Sequence, residues 1–160
     1  MDMVSKEILI QYTDLQQEVK EVREKIHRLE NEIPKIEKRI NEIEKGATVK
    51  DKVRGGLGGL QSYNIEGVPI KEYEKRKTDL LSKKLLLNNR KSTLELLEFD
   101  LLEKTNEVEE FIASVGDSRI RRIINLRFIE GLPWFKVAER MGGGNTEDSV
   151  RMSFNRFMEK

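Results

Sequence analysis

The sequence predicts an all-α chain: a long antiparallel helical hairpin of coiled-coil type, followed by a small three-helix domain of helix-turn-helix type. Three observations carry that expectation. Apolar residues recur at alternating steps of four and three from Leu15 to Ile43. They recur every seven residues from Tyr73 to Val115. After Gly116-Asp117-Ser118 come three short segments with apolar stripes, and a glycine run precedes the last of them. Composition agrees, because 37% of the 160 residues are charged and 37% hydrophobic. Solvated helices with narrow apolar seams need that balance, and an ordinary globular domain carries less charge.

The first arm is defined by Leu15, Val19, Val22, Ile26, Leu29, Ile33, Ile36, Ile40 and Ile43. A period of 3.5 residues makes this a coiled-coil seam. The seam extends roughly 40 Å at 1.5 Å per residue. Pro34 removes one backbone hydrogen bond and presses on the Glu30 carbonyl. The apolar rhythm continues unchanged across it, so a kinked but continuous helix is expected, with Ile33 and Ile36 still facing a partner.

Gly46 ends the arm, and residues 46–69 are expected to form a glycine-rich tip loop. Gly55-Gly56-Leu57-Gly58-Gly59 favours turns, and the Tyr63-Asn64-Ile65 segment has some strand character. A phosphate cradle is the sharper alternative. Its motif lacks a Lys-Ser/Thr after the glycines, a preceding apolar strand and a helix starting at the last glycine.

The second arm starts near Ile70. Tyr73, Leu80, Leu87, Leu94, Leu101, Val108 and Val115 form its seam, and Leu81, Leu85, Leu86, Leu96, Leu97, Leu102, Phe111 and Ile112 widen the apolar surface. So broad a surface needs more than one neighbour. The first arm, folded back antiparallel, is one. A second subunit or the C-terminal domain is the other. The expected division is therefore 1–116 for the hairpin and 117–160 for the small domain.

In the small domain, Ile120, Ile123, Ile124 and Phe128 stripe a first helix that Glu130-Gly131 breaks. Pro133 suits the first turn of a second helix, running to Met141, whose inner face is Val137, Ala138 and Met141. Gly142 to Asn145 turn the chain. Thr146 is a good N-cap for a third helix, with Glu147 and Asp148 favoured in its first turn by the helix dipole. Val150, Phe154 and Phe157 face inward, leaving Ser149, Arg151, Met152, Asn155 and Arg156 outward. Three short helices with a turn before the last suit a fold that inserts its final helix into the DNA major groove. Nine basic residues against six acidic from Asp117 to Lys160 make a modest positive footprint, in a chain of net charge +1.

The stretch INLRFIEGLPWFKVAERMG…NTEDSVRMSFNRF resembles the fourth conserved region of housekeeping-type bacterial sigma factors. Leu126-Arg127-Phe128, Gly131-Leu132, Val137-Ala138-Glu139-Arg140-Met141-Gly142, Thr146 and Val150-Arg151 carry the likeness, which covers roughly the last 40 residues. Gly143-Gly144 lengthen the turn relative to that pattern, and Pro133 replaces the usual Ser/Thr cap. The promoter-melting and core-polymerase-binding regions of a full sigma factor are not recognisable. The whole arrangement resembles small phage and prophage regulators of the RinA and ArpU type, which join a helical N-terminal region to a sigma-like helix-turn-helix. That resemblance implies transcriptional regulation of phage genes in a bacterial host cell. It also implies double-stranded DNA as a partner, and it admits RNA polymerase as another. On the third helix Ser149, Arg151, Asn155 and Arg156 become candidates for base or phosphate contact. Arg suits guanine O6 and N7, and Asn suits adenine N6 and N7. Arg127, Lys136 and Arg140 become candidates for backbone phosphates, which position without specifying. Each Arg or Lys has a plainer alternative as a surface or ion-paired side chain.

Other classes are expected to be absent. Without cysteine there are no disulfides, zinc-thiolate sites or thiol nucleophiles. His27 follows a core position and is expected on the surface. No catalytic, cofactor or metal residues are expected, and the chain is not expected to be an enzyme. With no run of about 18 apolar residues and no basic region followed by an apolar stretch at the N-terminus, the expectation is a cytoplasmic protein without membrane contact. Trp134 reads as a small-core or interface anchor before a base-stacking residue. The arms imply a homo-oligomer, with a dimer favoured. Two rival functions stay open: a phage small terminase subunit, which would form a ring of many subunits for DNA packaging, and a coiled-coil adaptor whose C-terminal domain binds protein.

Overall fold

Two long helices, a β-hairpin between them and a cluster of short helices make up the described residues. A computed structural model describes residues 2–46, 49–55 and 61–160, with the backbone alone described over 2–5, 49–55 and 61–66. Helix α1 spans Asp2–Glu44, strand β1 Val49–Gly55, strand β2 Gln61–Gly67 and helix α2 Ile70–Ser114. Helix α3 follows at Ser118–Ile124, then a π-helical turn at Asn125–Ile129, α4 at Trp134–Met141 and α5 at Glu147–Met158. Among the described residues, no helix is long and apolar enough to cross a membrane.

Among the described residues the regular structure is helical apart from the hairpin, which departs from the expected tip loop at 46–69. β1 and β2 pair antiparallel, from Val49 opposite Gly67 to Gly55 opposite Gln61. Val49, Val53, Tyr63 and Ile65 have the β-branched and aromatic character that favours such pairing. Most of the glycine run, with the phosphate-cradle alternative, falls on 56–60, outside the described residues.

Two compact units divide the chain: residues 23–93 form one, and 1–22 with 94–160 form the other. In the 23–93 unit, α1 and α2 run antiparallel, as the ion pairs between them show. Arg39 meets Glu72 through two hydrogen bonds of 2.9 and 3.1 Å. Further along, Lys84 meets Glu37 at 2.6 Å and Lys91 meets Glu30 at 3.1 Å. Ile26, Leu29, Ile33, Ile36, Ile40 and Ile43 are all buried on the inner face of α1. The helix runs unbroken through Pro34. Opposite them, α2 offers Tyr73, Leu80 and Leu87, all half-buried, and its companion seam positions Arg76, Lys83 and Arg90 are basic. Lys83 turns that substitution to use by reaching Glu32 at 2.7 Å.

In the other unit one apolar core joins the ends of both long helices to the short ones. Leu9 and Tyr12 of α1 and Val108 and Ile112 of α2 belong to it, with Val115, and so do Ile120, Ile123, Val137, Val150, Phe154 and Met158. The sequence places a domain boundary at Gly116-Asp117, but the core does not stop there. A three-helix cluster this short buries too little apolar surface by itself. Leu9, Tyr12, Val108, Ile112 and Val115 supply the missing cover.

A candidate nucleic-acid interface

The geometry of the short helices is fixed by their ends. Asp117 caps α3, accepting from the Arg119 and Ile120 amides at 2.8 and 3.3 Å. The helix then widens into the π turn, closed by the Glu130 amide on the Asn125 carbonyl at 2.9 Å. The sequence predicts an uninterrupted helix through Phe128, so the wider turn is a difference. It ends at Gly131, whose φ of +69° is a left-handed conformation that glycine adopts without strain. Arg127 fastens the following segment. Its guanidinium donates to the Leu132 carbonyl at 2.9 Å and lies 5.2 Å from the centre of the Trp134 ring.

Pro133 occupies the N-cap of α4 and supplies no side-chain hydrogen bond. Its extended backbone takes the place of a Ser/Thr cap, and its carbonyl accepts from the Lys136 and Val137 amides at 2.9 and 3.0 Å. Trp134 packs against the core, 5.6 Å from Phe154 between ring centres, and Phe128 lies 5.4 Å from the same ring. The turn between α4 and α5 uses three successive left-handed glycines, Gly142, Gly143 and Gly144. Asn145 then locks it. Its side-chain nitrogen donates to the Gly142 carbonyl, and its side-chain oxygen accepts from Arg119 of α3 at 2.7 Å.

Thr146 and Ser149 close a capping box at the start of α5. The Ser149 amide donates to the Thr146 hydroxyl at 3.2 Å, and the Ser149 hydroxyl accepts from the Thr146 amide at 2.9 Å. Val150, Phe154 and Met158 turn into the core. Phe157, predicted inward, is only half-buried, and Met158 fills the last inward place. Arg151, Met152, Asn155 and Arg156 are exposed on the outer face.

The seven candidate residues are thus sorted by their surroundings. Arg151, Asn155 and Arg156 share the outer face of α5, and Lys136 and Arg140 are exposed on α4. Ser149 and Arg127 stand apart from them. The Ser149 hydroxyl is consumed by the capping box, and the half-buried Arg127 is engaged by the Leu132 carbonyl and the Trp134 ring. Arg122, exposed on α3, was not among the sequence candidates. Neither it nor Arg156 has an ion pair among the described residues. The run of arginines around it was the available signal.

Several of the cations already have carboxylate neighbours. Arg151 pairs with Asp148 at 2.8 Å, Lys136 with Glu139 at 2.7 Å, and Arg140 lies 3.9 Å from Glu130. The Lys136 hydrogen bond and charge hold the Glu139 carboxyl below its ordinary value, with a smaller push from Arg140. All three pairs are exposed, where exchange for a phosphate or a base edge costs little. Glu147 and Asp148 occupy the first turn of α5 and repel phosphate there. The arrangement therefore suits base contact by the middle of α5, with phosphates held by α4 and by the last turn of α5.

No family model matches the chain. No curated protein and no solved structure gives a significant match to it.

Proposed function

We propose that the protein is a sequence-specific DNA-binding transcriptional regulator that reads duplex DNA with the outer face of α5. One observation carries the reading. Behind a glycine turn and a capping box, α5 buries Val150, Phe154 and Met158 and leaves Arg151, Asn155 and Arg156 exposed. In this reading Arg151 and Asn155 contact base edges, while Lys136, Arg140 and Arg156 contact phosphates. The resemblance to sigma fourth regions and to RinA- and ArpU-type regulators supports phage or prophage genes as the target.

The test is selection of bound sequences from a random duplex pool, followed by titration of the winning site. Arg151→Ala with Asn155→Ala is expected to weaken that site by about 1–3 kcal/mol per lost contact while leaving non-specific binding in place. Lys136→Ala is expected to weaken all sequences alike and to flatten the salt dependence by about one unit of slope. An unenriched pool, or a double variant with unchanged affinity, overturns the reading.

A protein-binding head is the second reading, and it rests on Phe135 and Met152, which are 56% and 49% exposed on α4 and α5. Exposed apolar side chains of this size suit a protein contact. Salt-insensitive binding to duplex DNA, or none, would favour it.

A further inference from the structure

We propose that α2 carries a self-complementary face on which a second copy of the chain docks antiparallel, with the two-fold axis passing beside Ser92. The proposal stands independently of the DNA reading.

α2 is apolar on two opposite sides. One side is the seam of Leu80, Leu87, Leu94, Leu101 and Val108, each half-buried or buried. The other holds Leu81, Leu85, Leu96 and Phe99, which are 73, 62, 69 and 59% exposed. From Leu81 the steps run through Leu85, Asn88, Ser92, Leu96 and Phe99 in threes and fours, which is one face of a helix. A helix with two apolar faces needs two covers, and α1 supplies one.

The order of residues on the open face identifies the second cover. The face reads almost the same in both directions from Ser92. Leu85 lies seven residues before it and Phe99 seven after; Asn88 lies four before and Leu96 four after. In an antiparallel pair crossing at Ser92, Leu85 of one copy meets Phe99 of the other. The small serine at the centre lets the helices approach closely.

Charge fixes the direction. From Lys75 to Lys91, α2 has seven basic residues and one acidic; from Glu95 to Glu110 it has seven acidic and one basic. The glutamates of α1 do not erase this asymmetry. The 23–93 unit contains eighteen basic and eleven acidic residues, and the other unit twelve basic and eighteen acidic. A parallel pair sets like charge on like, whereas an antiparallel pair sets each basic half on an acidic one. Such complementarity selects partner and orientation, and an isologous contact of this kind closes at two subunits.

The chain has no cysteine, so single introduced thiols report the geometry directly. Ser92→Cys is expected to cross-link to itself with a short bismaleimide. Leu85→Cys and Phe99→Cys are each expected to stay uncoupled alone and to couple when mixed, because two copies of residue 85 would lie about 21 Å apart along the helices at 1.5 Å per residue. Sedimentation equilibrium of the unaltered chain is expected to give twice 18.7 kDa. Leu81→Glu with Leu85→Glu is expected to return it to the single-chain mass with helix content retained. Self-coupling of Leu85→Cys, a single-chain or ring-sized mass for the unaltered protein, or a Leu81/Leu85 double variant that remains a dimer each overturns the proposal.

Discussion

Asn145 joins the turn to the helix before it. Its side chain donates to the Gly142 carbonyl and accepts from Arg119 of α3, so the start of α5 is tied to α3. Asn145→Ala is expected to cost about 1–2 kcal/mol of stability, with both hydrogen bonds lost at a partly exposed site, and, on the proposed reading, to weaken DNA binding further by loosening α5. Thermal melts beside DNA titrations check this; an unchanged melting temperature would show the tie to be idle. Thr146→Ala is expected to cost about 1 kcal/mol through the lost cap. The sequence announces Thr146 as a cap. It hides the role of Ser149, because the familiar capping box has Glu or Gln at that position. It hides the Arg119–Asn145 bond as well, since the partners are 26 residues apart and no periodic pattern links them. The outward set Arg151, Asn155 and Arg156 was legible because the inward residues Val150 and Phe154 fix the phase of α5.

Among the elements, α1 was the most legible. Every seam position from Leu15 to Ile43 is buried or half-buried, because a strict 3.5-residue repeat leaves one way to bury it. Tyr12 and Leu9 extend that face towards the N-terminus, and the phenolic ring obscured the continuation. β1 was hidden for a related reason: Lys50, Asp51 and Lys52 mask its β-branched residues. Pro34 is exposed in mid-helix, so Pro34→Ala is expected to stabilise α1, by up to about 3 kcal/mol, read as a rise in melting temperature. Glu72 gives the 23–93 unit a pH dependence. The Arg39 hydrogen bonds, then that of Arg76, lower its carboxyl to about 2. A carboxyl lowered on folding stabilises the fold above its unfolded value near 4.5 and loses that contribution as pH falls towards about 2. Melting temperature is therefore expected to decline through that window in the unaltered protein and to decline less in Glu72→Gln.

At the scale of the whole molecule, the order of the helices was legible and the division into units was not. The glycine at 116 marks a turn in the chain, but Val115 and Ile120 on either side of it lie in one core with Leu9 and Tyr12. Local composition reports where the backbone bends, whereas a unit is defined by which distant side chains share a core. An isolated 117–160 fragment is accordingly expected to melt without a cooperative transition, and circular dichroism of that fragment beside the full chain checks it. The same core has a consequence for biosynthesis. Its members lie far apart in sequence, Leu9 before the long hairpin and Met158 after it. Contacts so distant in sequence form slowly, so during synthesis this core stays open until α5 has emerged. Any activity of that head would then wait for the emergence of α5.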